Sequence, residues 1–147
     1  MSTKIIFTSA TGNTKEAVEL LEEALQDLDQ DVEVFDAEDG VEVDEFFDDD
    51  DANYVVASWS DGDNGEVPGG IVDFYDDLDG YDLSGKKVAV LGTGDTSYPH
   101  FCAAVDIFAK LLKEDGAELV AEPLKIELAP DDDAIEKIKD LAKTLAA

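Results

Sequence analysis

Three features of the sequence predict an α/β fold, a three-layer α/β/α sandwich built on a parallel sheet. Short apolar runs rich in β-forming residues, such as KIIFT, YVVAS and KVAVL, recur along the chain. Between them, apolar residues return every three or four positions, the spacing of a helix face. Within the runs, polar and apolar residues do not alternate, as expected of parallel strands buried on both sides by crossover helices. Right-handed crossovers then put helices on both faces of the sheet. At 147 residues the chain is expected to be one domain, 1–147. Its 44% hydrophobic content is enough for a core and excludes a disordered acidic tail.

The first strand is expected at Lys4–Thr8, ended by the turn chemistry of Ser9–Asn13. Thr14–Leu28 follows as a helix, with Ala17, Leu20, Leu21, Ala24 and Leu28 on one side and Glu16, Glu19, Glu22 and Glu23 elsewhere. Val32–Phe35 is the second strand. Residues 41–51 hold the apolar anchors Val43, Phe46 and Phe47 and form either a short helix or an ordered loop. Tyr54–Ser58 is the third strand. Pro68 stands where a helix can begin, ahead of Ile71, Phe74, Tyr75 and Leu78. Lys87–Leu91 is the fourth strand, and Phe101 to Leu112 marks a helix that ends near Gly116. The fifth strand covers Leu119–Val120 and Leu124–Leu128, with an interruption at Glu122–Pro123. Ile135, Ile138, Leu141, Ala142 and Leu145 define the last helix.

Charge is the anomaly: ten Lys, no Arg and 38 acids leave a net charge of −28. Nucleic acid and anionic membrane surfaces are excluded as partners, because both need cations the chain does not offer. No apolar run approaches the ~20 residues of a membrane span. The opening MSTKIIFTS turns polar too soon for a signal peptide, and the single cysteine, Cys102, allows no disulfide framework. A cytoplasmic, monomeric protein is expected. A net charge of this size repels itself in the compact state, and molar salt shortens the Debye length to about 3 Å. The chain therefore reads as halophilic, from a high-salt cytoplasm; the alternative is an acidic docking face for basic partners.

In a sheet of this kind, ligands bind beyond the carboxyl ends of the strands, at the switch in strand order. Three loops fall there: Ser9–Thr14, Trp59–Gly65 and Gly92–His100. The first carries Ser9, Thr11, Asn13 and Thr14 and runs straight into a helix, whose N-terminal amides and dipole suit a phosphate. No Lys follows Gly12 as the P-loop motif requires, and the dinucleotide glycine pattern is missing too. Taken alone, the segment equally fits a helix capped by hydroxyls. The other two loops each place one large aromatic, Trp59 or Tyr98, among polar residues and glycines. Singly, each reads as packing; together they suggest a slot for a flat ring. Phosphate loop, ribityl-length gap and aromatic slot together describe FMN.

The segments Ser9-x-Thr11-Gly12-Asn13-Thr14, Ser58-Trp59 and Gly92-Thr93-Gly94-Asp95-Thr96-Ser97-Tyr98, followed by Phe101-Cys102, resemble the three FMN loops of the flavodoxins, in order along essentially the whole chain. With only three residues between Val120 and Leu124, the chain resembles the short-chain class. The resemblance implies a flavodoxin-like, five-stranded parallel sheet of order 2-1-3-4-5. It implies that Ser9, Ala10, Thr11, Gly12, Asn13 and Thr14 cradle the phosphate, with further donors from Ser58 and the Trp59 indole. It places the ring between Trp59 and Tyr98, with Gly94, Asp95 and Cys102 on the pyrimidine side, and Ser60, Asp61, Gly62, Thr93 and Phe101 completing the site. Cys102 reads as a small apolar helix residue even where it meets the ring, and His100 as a solvated surface residue. Ser60 departs from the family, which usually has Gly there; a side chain makes positive φ costlier.

The implied function is that of a low-potential one-electron carrier shuttling between semiquinone and hydroquinone, an electron-transfer protein and not an enzyme. Asp61, Asp63, Glu66 and Asp95 beside the loops would disfavour the anionic reduced cofactor. The partners implied are basic-patched reductases and acceptor oxidoreductases, steered by the acidic rim. Two other readings share the fold. An FMN-dependent NAD(P)H:quinone reductase would need to neutralise nucleotide phosphates without Arg. A phosphate-binding signalling module would need acids at the ends of strands one and three, where Thr8-Ser9 and Ala57-Ser58 stand.

Overall fold

A computed structural model of the chain describes residues 2–10, 12–49, 51–60, 66–95 and 101–147. The elements run β1 (Ser2–Phe7), α1 (Asn13–Gln26), β2 (Asp31–Asp36), a 3-10 turn (Ala37–Asp39), α2 (Val43–Phe46), β3 (Asn53–Trp59), α3 (Val72–Leu78), β4 (Lys87–Gly94), α4 (Ala103–Glu114), β5 (Glu118–Leu119), β6 (Leu124–Glu127) and α5 (Asp132–Ala146). Every strand pairing is parallel, and the order is β2-β1-β3-β4-β5, with β6 also on β4.

The continuous apolar character of the strands has its cause in the two layers of core. Ile5, Phe7, Val55, Ala57, Ala89 and Leu91 face α1 and α5, meeting Val18, Leu21, Ile138 and Leu141. Their neighbours Ile6, Tyr54, Val56, Val88 and Val90 face the other way, toward Phe46, Phe74, Leu78, Phe108 and Leu112. Side chains still alternate with period two, but both destinations are dry. The aromatic residues around α2 pack edge to face, Phe46 lying 5.3 Å from Tyr54 and 5.7 Å from Phe74 between ring centroids.

The fifth sheet position differs from a single strand. β5 pairs with Lys87 and Val88, β6 with Leu91 to Gly94, and the chain leaves the ladder between them. Pro123 falls in that gap and has no N–H to donate. α3 also begins later than Pro68 suggests: Pro68 accepts a turn bond from Ile71 N–H at 3.1 Å, and the helix proper starts at Val72. α1 stops at Gln26, leaving Leu28 in a turn, 41% exposed. α4 closes as expected at Gly116, where φ is +98° and an added Cβ would lie 3.1 Å from Ser84 Oγ. No helix among the described residues is long and apolar enough to cross a membrane.

The register brings the site residues together. Phe7 lies opposite Ala57, Ala57 opposite Leu91, and Trp59 opposite Thr93. The ends of β1, β3 and β4 therefore open on one edge of the sheet.

Candidate cofactor site

At the end of β1, the N–H of Thr8 donates to the Ala57 carbonyl at 3.1 Å and ties the two strand ends. Ser9 Oγ then accepts the N–H of Gly12 at 3.1 Å and of Lys15 at 3.3 Å. Gly12 sits at φ +96° as the residue that enters α1, a conformation that glycine adopts freely. The turn is thus held folded around the amide end of the helix, where an anion is favoured. Asn13 is half-buried and Ala10 exposed. Thr14, on the inner face of α1 with Ala17 and Val18, is buried. Its Oγ1 lies 2.7 Å from Thr93 Oγ1, across from the end of β4.

At the end of β3, Ser58 is buried and its Oγ donates to the Trp59 carbonyl at 2.7 Å. The resemblance made that hydroxyl a phosphate donor; here it closes the strand end. Trp59 is half-buried as the last residue of the strand. Ser60 is not among the described non-glycine residues with positive φ, which are Asp29, Cys102 and Leu128. Ser60 Oγ accepts the N–H of Ala104 at 3.0 Å.

At the end of β4, an added Cβ on Gly92 would collide with the Ser58 carbonyl and with Val105. One on Gly94 would lie 3.0 Å from Cys102 Sγ and 3.1 Å from Cys102 N. These glycines let β4 and the start of α4 approach each other. Gly94 and Asp95 are half-buried, and Asp95 is partnered. Phe101 is half-buried in the turn ahead of α4.

Cys102 corrects the sequence reading. It lies outside α4, as the residue that enters it, at φ 52° in the left-handed region. Its Sγ lies 3.8 Å from the carbonyls of Gly92 and Ile126, and burial pushes the thiol up to about 11. The sulfur is therefore a neutral packing group at ordinary pH. A cation that sequence reasoning passed over, Lys125, stands on β6 opposite Gly92 and pairs with Asp106 at 2.7 Å. Leu128 N–H donates to the Gly94 carbonyl at 2.7 Å, a contact for which the sequence holds no signal.

Thr11, Asp61, Gly62 and Tyr98, with His100, lie outside the described residues. Ser9, Gly12, Asn13, Thr14, Ser58, Trp59, Ser60, Thr93, Gly94, Asp95, Phe101 and Cys102 come together at the one edge, with Ala10 on its exposed side. The residues fit a phosphorylated ligand. Two buried hydroxyls share a single bond, which leaves one proton without an acceptor among the described residues, beside a preformed amide turn.

The family model described as Flavodoxin matches residues 5–140. A curated relative, "Probable flavodoxin 2" of Bacillus subtilis, is 33% identical over 142 residues, covering 97% of this chain and 92% of that protein. The flavodoxin of Maridesulfovibrio salexigens is 35% identical over 131 residues, 89% of each. Among solved structures, oxidised flavodoxin 2 from Bacillus cereus superposes with a TM-score of 0.91 at 42% identity, covering 99% of this chain and 98% of that one.

Proposed function

The chain belongs to the flavodoxin family, in its short-chain class, and on that premise we propose that it carries single electrons at low potential with FMN held across the ends of β1, β3 and β4. It is an FMN-binding electron-transfer protein and not an enzyme. The observation that carries the site assignment is the convergence of three strand ends on one edge, with the Thr14–Thr93 bond tying the start of α1 to β4 beside the Ser9 turn.

Bound FMN supplies the one-electron chemistry. Ser9, Ala10, Thr11, Gly12, Asn13 and Thr14 would hold its phosphate. The amides at the start of α1 and the hydroxyls of this segment stand in for cations. Trp59 and Tyr98 would flank the ring, with Gly94, Asp95 and Cys102 along its pyrimidine side and Phe101 completing the site. Ser58 and Ser60 fix the strand-end backbone that carries Trp59. Asp61 and Gly62 complete the loop in this reading.

The chain's own charge opposes a further negative charge at this edge. Asp95 and Glu66 lie on or beside the loops, and Lys125 is already paired to Asp106. Like charge and partial desolvation both disfavour an anion there, which supports a low potential. The net charge of −28 supports docking to basic faces of redox partners, with association weakened by salt. It also supports a protein adapted to a high-salt cytoplasm and acting as a monomer. Titrating the colourless apoprotein with FMN and following the quenching of flavin fluorescence tests the reading. Stoichiometric quenching is expected, and none at any salt concentration would refute it.

A further inference from the structure

We infer that Thr93 is a positioning residue of the phosphate cradle, donating its hydroxyl proton to Thr14 Oγ1 so that the Thr14 proton is left for the bound phosphate. This rests on the FMN reading of the site and assigns Thr93 a role distinct from contact with the cofactor.

Thr14 and Thr93 are 79 positions apart, and their oxygens lie 2.7 Å from each other. Both residues are buried, with relative exposure of 1% at Thr14 and 3% at Thr93. A hydroxyl carries one proton and two acceptor sites. The pair holds two protons and one mutual bond, and neither oxygen has another partner among the described residues. Among the described residues one proton is therefore unpaired in a buried place, which costs stability unless an acceptor is brought to it.

Position decides which proton that is. Thr14 stands in the first turn of α1, beside the amides of Gly12 and Lys15 that converge on Ser9 Oγ. The positive end of the helix draws an acceptor there. Thr93 is set back in β4 on the α1 side, sharing its face with Ala89 and Leu91. Donation from Thr93 to Thr14 thus leaves the free proton at the helix end, and polarises it toward an anion. Both residues are β-branched, which holds each hydroxyl in a narrow range of χ1.

Thr93→Val and Thr93→Ser test the assignment, with FMN and riboflavin as paired probes that differ only in the phosphate. Affinities come from fluorescence quenching of apoprotein, and thermal midpoints of the apoproteins report folding. The ratio of FMN to riboflavin affinity is expected to fall about tenfold in Thr93→Val and to return to within about twofold of the parent in Thr93→Ser. An unchanged ratio in Thr93→Val overturns the inference, including the case in which both affinities fall in equal proportion with the thermal midpoint. A ratio that falls equally in Thr93→Ser overturns it as well. A parent protein that binds neither flavin refutes the FMN reading itself, and Thr93's role with it.

Discussion

Ser60 Oγ accepts the backbone N–H of Ala104 at 3.0 Å, so that the end of β3 caps the helix that follows β4. Cys102, the residue entering α4, provides no side-chain cap of its own. A helix N-terminus has amides without intrahelical partners, and satisfying one with a hydroxyl is worth about 1 kcal/mol. Ser60 thus pins two of the three strand ends of the site to each other. It stands where the family resemblance predicts Gly, and it does so without positive φ.

Removing that cap should loosen the start of α4. Ser60→Ala is expected to lower the thermal midpoint by roughly 2–4 °C and to speed hydrogen exchange at the Ala104 amide. Ser60→Thr keeps the acceptor and should exchange like the parent. Unchanged exchange at Ala104 in Ser60→Ala would show that the hydrogen bond is not formed in solution.

Cys102 should be chemically quiet. Its thiol, pushed up to about 11 by burial against a reference of 9.0, has about a hundredfold less thiolate at pH 8 than a free thiol of that reference value. Alkylation by iodoacetamide at pH 8 should be slower than in the denatured chain by at least that factor. The linkage has a definite sign. Between pH 9 and 11 the unfolded thiol has lost its proton and the folded one keeps it, so stability falls as pH rises through that window. Native protein that alkylates as fast as denatured protein at pH 8 would contradict the burial seen here.

Salt should stabilise the fold. Among the described residues, Lys4 is flanked by Asp48 and Glu33, and Lys125 by Asp106, while most carboxylates face solvent. Raising KCl from 0.1 M to 1 M shortens the Debye length from about 10 Å to about 3 Å. The thermal midpoint is expected to rise by several degrees, and a midpoint independent of KCl would remove the high-salt interpretation.

Lys125 offers a probe of the electrostatics at the site edge. It is partly exposed and shared with Asp106, so solvent screening limits its effect to a few tenths of a kcal/mol. Lys125→Gln should move the potential of the more negative one-electron step further negative by roughly 10–30 mV, since ~59 mV corresponds to about 1.4 kcal/mol for one electron. A shift to more positive values would contradict the account of how charge sets the potential.

Strand and helix identity were readable because each rests on a repeating pattern, whereas the sheet order came from the family resemblance and is borne out by the pairing of the strands. Continuous β-branched runs such as Tyr54–Ser58 read as strands with two dry faces, and Gly116 marks the stop of α4 by its conformation. Pro123 was legible as an interruption, although its result, two short segments sharing one sheet position, depends on how β4 is shared. What the pattern does not encode is pairing across the fold. Nothing near Thr14 announces Thr93, and nothing near Ser60 announces Ala104, because a hydroxyl's partner is set by three-dimensional register. The left-handed entry at Cys102 was hidden for a related reason: a cysteine there looks like one more apolar residue of a helix, and only its backbone conformation, φ 52°, shows that it precedes one.

The central claim is that in the proposed site residues 9–14 hold the FMN phosphate with amides and hydroxyls in place of cations, while 58–62 and 93–102 border its ring. Fluorescence titration of apoprotein with FMN, in dilute buffer and in molar KCl, tests it most directly. The account predicts saturation at one FMN per chain with tight binding retained in brine; free FMN fluorescence undiminished under both conditions would contradict it.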